Sequence, residues 1–427
     1  MTSRPSTAPL AVGARGVTLL PALREDRVAV YVHFPWCLHR CAYCDFATTA
    51  HRAPPGDEYG ALIRRELTLR ASQWRPKGVR SVFFGGGTPS LWGPSNIAAV
   101  LAAIDAWSPI ETSAEITLEA NPGALESGDL GAYADAGINR VSIGVQATDD
   151  RRLRALDRLH DAAAAHSTLR EIADLLAAGR LHSASADLLF GAPGQGMAEL
   201  RADVAAIMAY DLPHLSAYAL TVEQETPLAQ LVTRGLAKLP DDDLQSDMLE
   251  ALPALLAPWG LSRYEVSNFA RAGHESRHNL VYWQGGPYLA LGVGAHGFVP
   301  AASVANEELS TIAHHPETIV GMRYANIRSS ALWMAQLREG RLGETERQLV
   351  DRDAHCDELM LTGLRLRDGV DLDVLRLRLG DRRCDALLAR ARALCADGAP
   401  LELDGSRLRV DQAGVFQLDR WLLALLN

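Results

Sequence analysis

The 427-residue sequence has no apolar run approaching the ~20 residues a membrane helix requires, and its first twenty-five residues lack the basic, apolar and small-residue succession of a signal peptide. A cytoplasmic protein is therefore expected, with no membrane segment. Cysteine is scarce, six in the whole chain, which excludes the dense disulfide framework of a small secreted domain. Positive charge is not in excess either. Lys and Arg number 42 against 52 Asp and Glu, a formal net charge of −10, so a basic nucleic-acid-binding surface is not the main function and no nucleic-acid partner is expected. No internal repeat is visible. What is abundant is apolar side chain, 48% of residues, enough to bury a large core in more than one domain.

Short β-branched runs at 28–34, 79–84, 114–119, 140–143, 183–190 and 215–220 alternate with helical patterns at 57–72, 95–107, 125–136, 161–178 and 196–210. Parallel strands need a crossover connection, so this alternation predicts an α/β fold: a parallel sheet, a barrel or partial barrel whose chemistry sits after the strands. Residues 1–25 read as a weakly ordered tail and 26–305 as the barrel with its extension. In 306–427 helices are expected to dominate, ending in a hairpin, 401–403 and 408–410 around Asp404-Gly405, then a short helix. That pattern suggests a smaller, mostly helical, winged-helix-like domain.

The strongest chemical signal is Cys37-Leu38-His39-Arg40-Cys41-Ala42-Tyr43-Cys44, directly after the first strand. Three thiolates this close on a loop can hold three irons of a cubane cluster and leave the fourth iron open. Zinc would need a fourth ligand, which His33 or His39 would have to supply. Three unligated buried cysteines are the bland alternative, and the close spacing argues against it. Gly85-Gly86-Gly87-Thr88-Pro89 follows the second strand and lacks the Gly-Lys-Ser/Thr ending of a Walker loop.

The CxxxCxxC spacing with an aromatic before the last Cys resembles the radical S-adenosylmethionine (SAM) superfamily, whose fold is a partial (β/α)6 barrel. The resemblance implies a [4Fe–4S] cluster on Cys37, Cys41 and Cys44. It implies SAM contacts from Gly86 and Gly87, where a Cβ would block the ligand, from Glu119 and Gln146 at the ends of the third and fourth strands, from Arg158 twelve residues later and from Asp187 on the fifth strand. Tyr31, Tyr43 and Thr88 fall among the cofactor-binding positions by the same likeness. Each of these polar residues, taken alone, is equally readable as a salt bridge or a strand-end cap.

Tyr31-Val32-His33-Phe34-Pro35-Trp36-Cys37 and Gly191-Ala192-Pro193-Gly194-Gln195 are similar to the oxygen-independent coproporphyrinogen III oxidases and their relatives. The oxidases carry a further Cys two residues after the third ligand, where this chain has Phe46, and a longer segment before the cluster. His278-Asn279-Leu280-Val281-Tyr282-Trp283 instead resembles the HNxxYW motif of the HemW-type haem chaperone branch. This likeness implies haem bound by His278, with Tyr282 and Trp283 nearby, and an acceptor protein to which the haem passes. A neutral imidazole is a good axial ligand, although a core histidine beside two core aromatics would look the same in sequence. The oxidase reaction, radical decarboxylation of porphyrinogen propionates, is the alternative, and modification of RNA a more remote one. Cys356, Cys384 and Cys395 stand singly in helical patterns and read as structural. The Arg-rich stretch 365–392 reads as a solvated amphipathic face.

Overall fold

The structure, a computed structural model, describes residues 26–71, 74–123, 125–303, 318–411 and 414–426. The expected tail and the expected domain boundary at 305 lie outside the described residues. Six strands, β1 (Arg27–Phe34), β2 (Gly78–Gly86), β3 (Ile110–Ala120), β4 (Arg140–Gln146), β5 (Ser183–Phe190) and β6 (His214–Ala219), pair side by side in chain order, all parallel. The crossovers carry α1 (Gly56–Ala71), α2 (Pro94–Trp107), α3 (Leu130–Asp135), α4 (Ala162–Ala177) and α5 (Met197–Met208).

Alternation along these strands sorts the side chains. Val28, Val30, Val32 and Phe34 of β1, with Val82 and Phe84 of β2 and Leu118 of β3, join the large core that also takes in the apolar faces of the helices. The opposite face carries Tyr31 and His33 beside Phe83 and Gly85, and Glu119 beside Ser142. A barrel whose interior holds hydroxyls and carboxyls has made room for a polar ligand.

The barrel does not close. β6 is followed at its edge by β8 (Asn268–Ala270) and β7 (Ser262–Arg263), both antiparallel, while β1 is flanked by β9 (Tyr288–Leu291), which runs parallel to it. Beyond β9 the sheet continues antiparallel through β10 (His296–Pro300), β11 (Ile319–Asn326) and β12 (Glu344–Asp351). Two of these strands lie past residue 305, where helices were expected to dominate. The third helix also differs from the expected 125–136. Gly128 takes a positive φ of 65°, and Asp129 caps the helix by accepting a hydrogen bond from the Ala132 N–H, so helix starts only at Leu130.

A second core begins after β12. Cys356, Met360, Leu387, Leu408 and Leu425 pack together from helices Arg352–Gly363, Asp381–Ala396 and Leu418–Leu426 and a three-stranded sheet. Two of its strands, Leu401–Asp404 and Arg407–Val410, form the expected hairpin, with Gly405 at φ 62° in the turn. Cys356 and Cys384 are buried in this core, a different cluster from the one beside the amino-terminal thiols. Arg376 and Arg383 of the Arg-rich stretch pair with Asp373, Asp385 and Asp357. No helix among the described residues is long and apolar enough to cross a membrane.

Candidate cofactor site

The three amino-terminal thiols occupy the loop after β1. A parallel bridge between Trp36–Cys37 and Thr49–Ala50 clasps this loop at its base, and the Cys44 N–H donates to the Cys41 carbonyl, turning those two residues together. Cys37 is buried, and burial pushes its thiol up to about 11 against a hydrogen bond with Thr88 that pulls the other way. Burial also raises Cys41, opposed by Arg158, whose Nη1 lies 3.5 Å from Cys41 Sγ and 3.5 Å from the Tyr43 hydroxyl. Neither histidine offered for zinc is free: His39 pairs with Asp157 at 2.8 Å, while the two ring nitrogens of His33 meet the Tyr31 hydroxyl and the Ala47 carbonyl. No three His, Cys, Asp or Glu side chains among the described residues are arranged to hold one metal ion. A cubane requires no such convergence, since each thiolate takes a different iron. Three thiols with an adjacent guanidinium and hydroxyl are a donor set that fits it.

The glycine segment at the end of β2 lies against this loop. Gly86 has φ 114°, and a Cβ there would stand 2.6 Å from His33 Cε1; a Cβ on Gly87 would collide with the Trp36 carbonyl. The close approach that demands glycine is thus to the chain's own thiol loop, where the sequence alone suggested a ligand. Thr88 is buried, its hydroxyl accepting from Asn121 Nδ2 at 3.1 Å. Asn121 Oδ1 in turn accepts from Arg158 Nη2 at 2.6 Å, and the same nitrogen donates to the Gly144 carbonyl at 2.9 Å. Arg158 therefore ties the thiol loop to the ends of β3 and β4. Asn121, and Glu126 which accepts from it, are members of this network that sequence reasoning passed over.

Glu119 and Asp187 face the barrel interior. Burial, and then the charge of Asp187, push Glu119 up to about 8, although its carboxylate accepts from the Gly86 N–H at 3.0 Å. Burial pushes Asp187 up to about 6 against hydrogen bonds from Ser216 and Ser142. Two buried carboxyls that have no salt-bridge partner among the described residues fit a ligand that brings positive charge. Gln146 ends β4 at φ 64°, a left-handed conformation that costs a non-glycine residue energy and is concentrated at functional sites.

The HNxxYW residues are placed differently from the expectation. They form a short helix, α6 (Arg277–Trp283), under the barrel interior. His278 is 1% exposed, its Nδ1 2.9 Å from Ser81 Oγ and its Nε2 2.7 Å from the Tyr282 hydroxyl, with the Phe83 ring 5.1 Å away. Burial holds it down to about 3, a neutral imidazole. With both nitrogens engaged, His278 has the surroundings of a core histidine and not of an available axial ligand. Trp283 turns away altogether, packing with Tyr264, Leu280 and Leu366 beneath the Arg365 guanidinium. Tyr282 alone of the three borders the cavity at the strand ends.

Residues 31–207 match the radical SAM superfamily, and residues 350–416 match the HemN C-terminal domain. The heme chaperone HemW of Mycobacterium tuberculosis is 36% identical over 401 residues, 93% of this chain and 94% of that protein. The chain belongs to the HemW family. The Escherichia coli HemW protein is 36% identical over 300 residues, 70% of this chain and 76% of its own length. A Mus musculus relative, radical S-adenosyl methionine domain-containing protein 1, mitochondrial, is 43% identical over 66% of this chain, a match that spans 63% of the mouse protein. Among solved structures, the coproporphyrinogen III oxidase HemN of Escherichia coli shares the fold, with a TM-score of 0.75 at 18% identity over 95% of this chain and 91% of its own.

In this HemW-family chain a cavity of about 450 Å³ opens beside the thiol loop, within the range of small-molecule sites. Tyr31, Gly86, Glu119 and Tyr282 line its inner part. Phe46, His296 and Arg328 line it too and are exposed, so they stand at the mouth. Sequence reasoning used Phe46 only as a missing cysteine and passed over His296 and Arg328. The available signal was the glycine-rich run Gly292-Val293-Gly294-Ala295-His296-Gly297 following a strand.

Proposed function

We propose that the protein binds haem at the mouth of this cavity, with a [4Fe–4S] cluster on Cys37, Cys41 and Cys44 and SAM at the inner end, and acts in the cytoplasm as a haem chaperone that passes haem to an acceptor protein. The observation that carries this reading is the cavity wall. Phe46, 63% exposed, stands where the related oxidases have a further cysteine, and with Tyr288 it offers aromatic surface to a flat macrocycle. The relatives named above as heme chaperones agree with it.

When bound, the cluster would offer its open iron to the amino and carboxylate groups of SAM. This chain's own residues do the positioning: Arg158 and Thr88 hold the thiol loop, and the carboxyls of Glu119 and Asp187 meet the ligand's positive charge. Tyr31 and Gly86 line the cavity wall, Gly87 lets the glycine segment close on the thiol loop, Tyr43 meets Arg158, and Gln146 ends β4 beside them.

The test is anaerobic purification with cluster reconstitution, then separate titrations with haem and with coproporphyrinogen III plus SAM and a strong reductant. About one haem per chain with a Soret band, and no protoporphyrinogen IX, is the expected result. Efficient decarboxylation without haem binding would move the protein to the oxidase branch.

A further inference from the structure

Three histidines lie at or under the cavity, and their surroundings differ. His33 is buried with both ring nitrogens hydrogen-bonded, and burial holds it down to about 4. His278 is buried with both nitrogens likewise engaged. His296 is exposed, borders the cavity, and among the described residues no hydrogen bond or ion pair reaches its ring.

Its backbone, by contrast, is held firmly. His296 opens β10 directly after the turn containing Gly292 and Gly294, at φ 100° and 64°. The Gly292 N–H donates to Glu66 Oε2 at 2.8 Å, and the Gly292 carbonyl accepts from Asn326 Nδ2 at 2.7 Å. The Val293 N–H meets the Tyr59 hydroxyl at 3.2 Å. Glu66 is fully buried and paired with Arg70 at 2.8 Å, so the turn rests on a network that cannot shift without stranding charge. A free imidazole on a fixed backbone is what an iron ligand requires.

Beside it, Arg328 also lines the mouth, and its Nη2 donates at 3.4 Å to the backbone carbonyl of Asp45. The Asp45 side chain shares this rim, yet among the described residues no carboxylate is paired with the guanidinium. A planar cation with open donors suits a carboxylate brought by the ligand.

We infer that His296, not His278, donates the axial nitrogen to the haem iron, and that Arg328 pairs with a haem propionate. The inference rests on the haem-binding reading above. Ligation needs only the imidazole lone pair and the displacement of a weaker axial ligand, with no oxidant or reductant.

The test titrates the full-length, cluster-reconstituted protein with ferric haem, following the Soret band and the iron spin state by electron paramagnetic resonance. His296→Ala should shift the Soret band and weaken binding by about tenfold or more, and added imidazole should restore the original spectrum. His278→Gln should leave the band in place. Arg328→Ala should weaken ferric haem by about tenfold while leaving the affinity for its dimethyl ester unchanged. Unchanged cluster iron in each variant reports an intact fold. A wild-type spectrum and affinity in His296→Ala would overturn the ligand assignment alone, whereas failure of the wild-type protein to bind haem would overturn that assignment together with the haem reading.

Discussion

At the scale of single residues, Glu119 and Asp187 show what position adds to chemistry. Glu119 is recognisable in sequence as a strand-end carboxylate and Asp187 as one on the fifth strand, but their mutual repulsion depends on β3 and β5 flanking β4 in one sheet. Both are raised above their ordinary values, Glu119 to about 8 and Asp187 to about 6. A raised carboxyl contributes stability that is present below its unfolded pKa and lost as pH rises through the folded one, so the ligand-free protein should weaken from the ordinary carboxyl range up to about pH 8, with Asp187 contributing up to about pH 6 and Glu119 alone above it. A cationic ligand reverses the balance by favouring the ionised forms, and SAM should bind more tightly across the same window. Glu119→Gln should weaken SAM binding roughly ten- to a hundredfold, flatten this pH dependence and raise the ligand-free melting temperature at pH 8. Calorimetry at pH 6 and 8, with and without SAM, measures all three, and a wild-type slope in the variant would count against the carboxylate's role. The strain at Gln146 was not legible in the same way, because a left-handed φ in a residue other than glycine leaves no mark in a linear sequence.

At the scale of elements, the helix Arg277–Trp283 is the clearest case of a partly legible feature. The four-residue spacing of His278 and Tyr282 puts them on one face, and in the structure they touch. Which way that face points was decided by β2 and β3, since Ser81 takes the histidine and Glu115 takes the start of the helix. The Glu115 carboxylate accepts from the backbone N–H groups of Arg277 and His278 at 3.1 and 3.0 Å, while Ser276 caps Asn279. Glu115→Ala would leave the buried His278 N–H and the half-buried Arg277 N–H without their partner and should cost about 1–3 kcal/mol in a urea denaturation series. It should also loosen the cavity wall formed by Tyr282. No change in stability would mean that water satisfies those groups and that this end of the helix is open. The third predicted helix failed at its start for a simpler reason: the helical pattern at 125–129 is interrupted by Gly128, and Asp129 is a better cap than an interior residue.

For the whole molecule, the sheet extends where the β/α alternation no longer announces it. β11 and β12 join the first core and pair with the buried charges of α1: Arg70 reaches Glu344 at 2.6 Å and Asn326 at 2.8 Å, and Trp333 between these strands is fully buried. A chain ending at residue 351 should keep a cooperative, less stable unfolding transition, whereas one ending at 305 should fail to fold, since it strands the Glu66–Arg70 pair without its partners. Limited proteolysis and circular dichroism of the two chains decide it, and a folded 305-residue product would show the later strands to be dispensable. The sequence by itself determined the six β/α units, the three-thiol loop, the glycine segment after β2 and the carboxy-terminal hairpin, since each is written in spacing over a few residues. Only the tertiary structure decided which imidazole is buried and which faces the cavity, that Trp283 packs with Tyr264, Leu280 and Leu366, and which later strands join the first core. Those outcomes depend on pairs such as His278 with Ser81 and Arg70 with Glu344, separated by 197 and 274 positions, and no local period records which distant residues will meet.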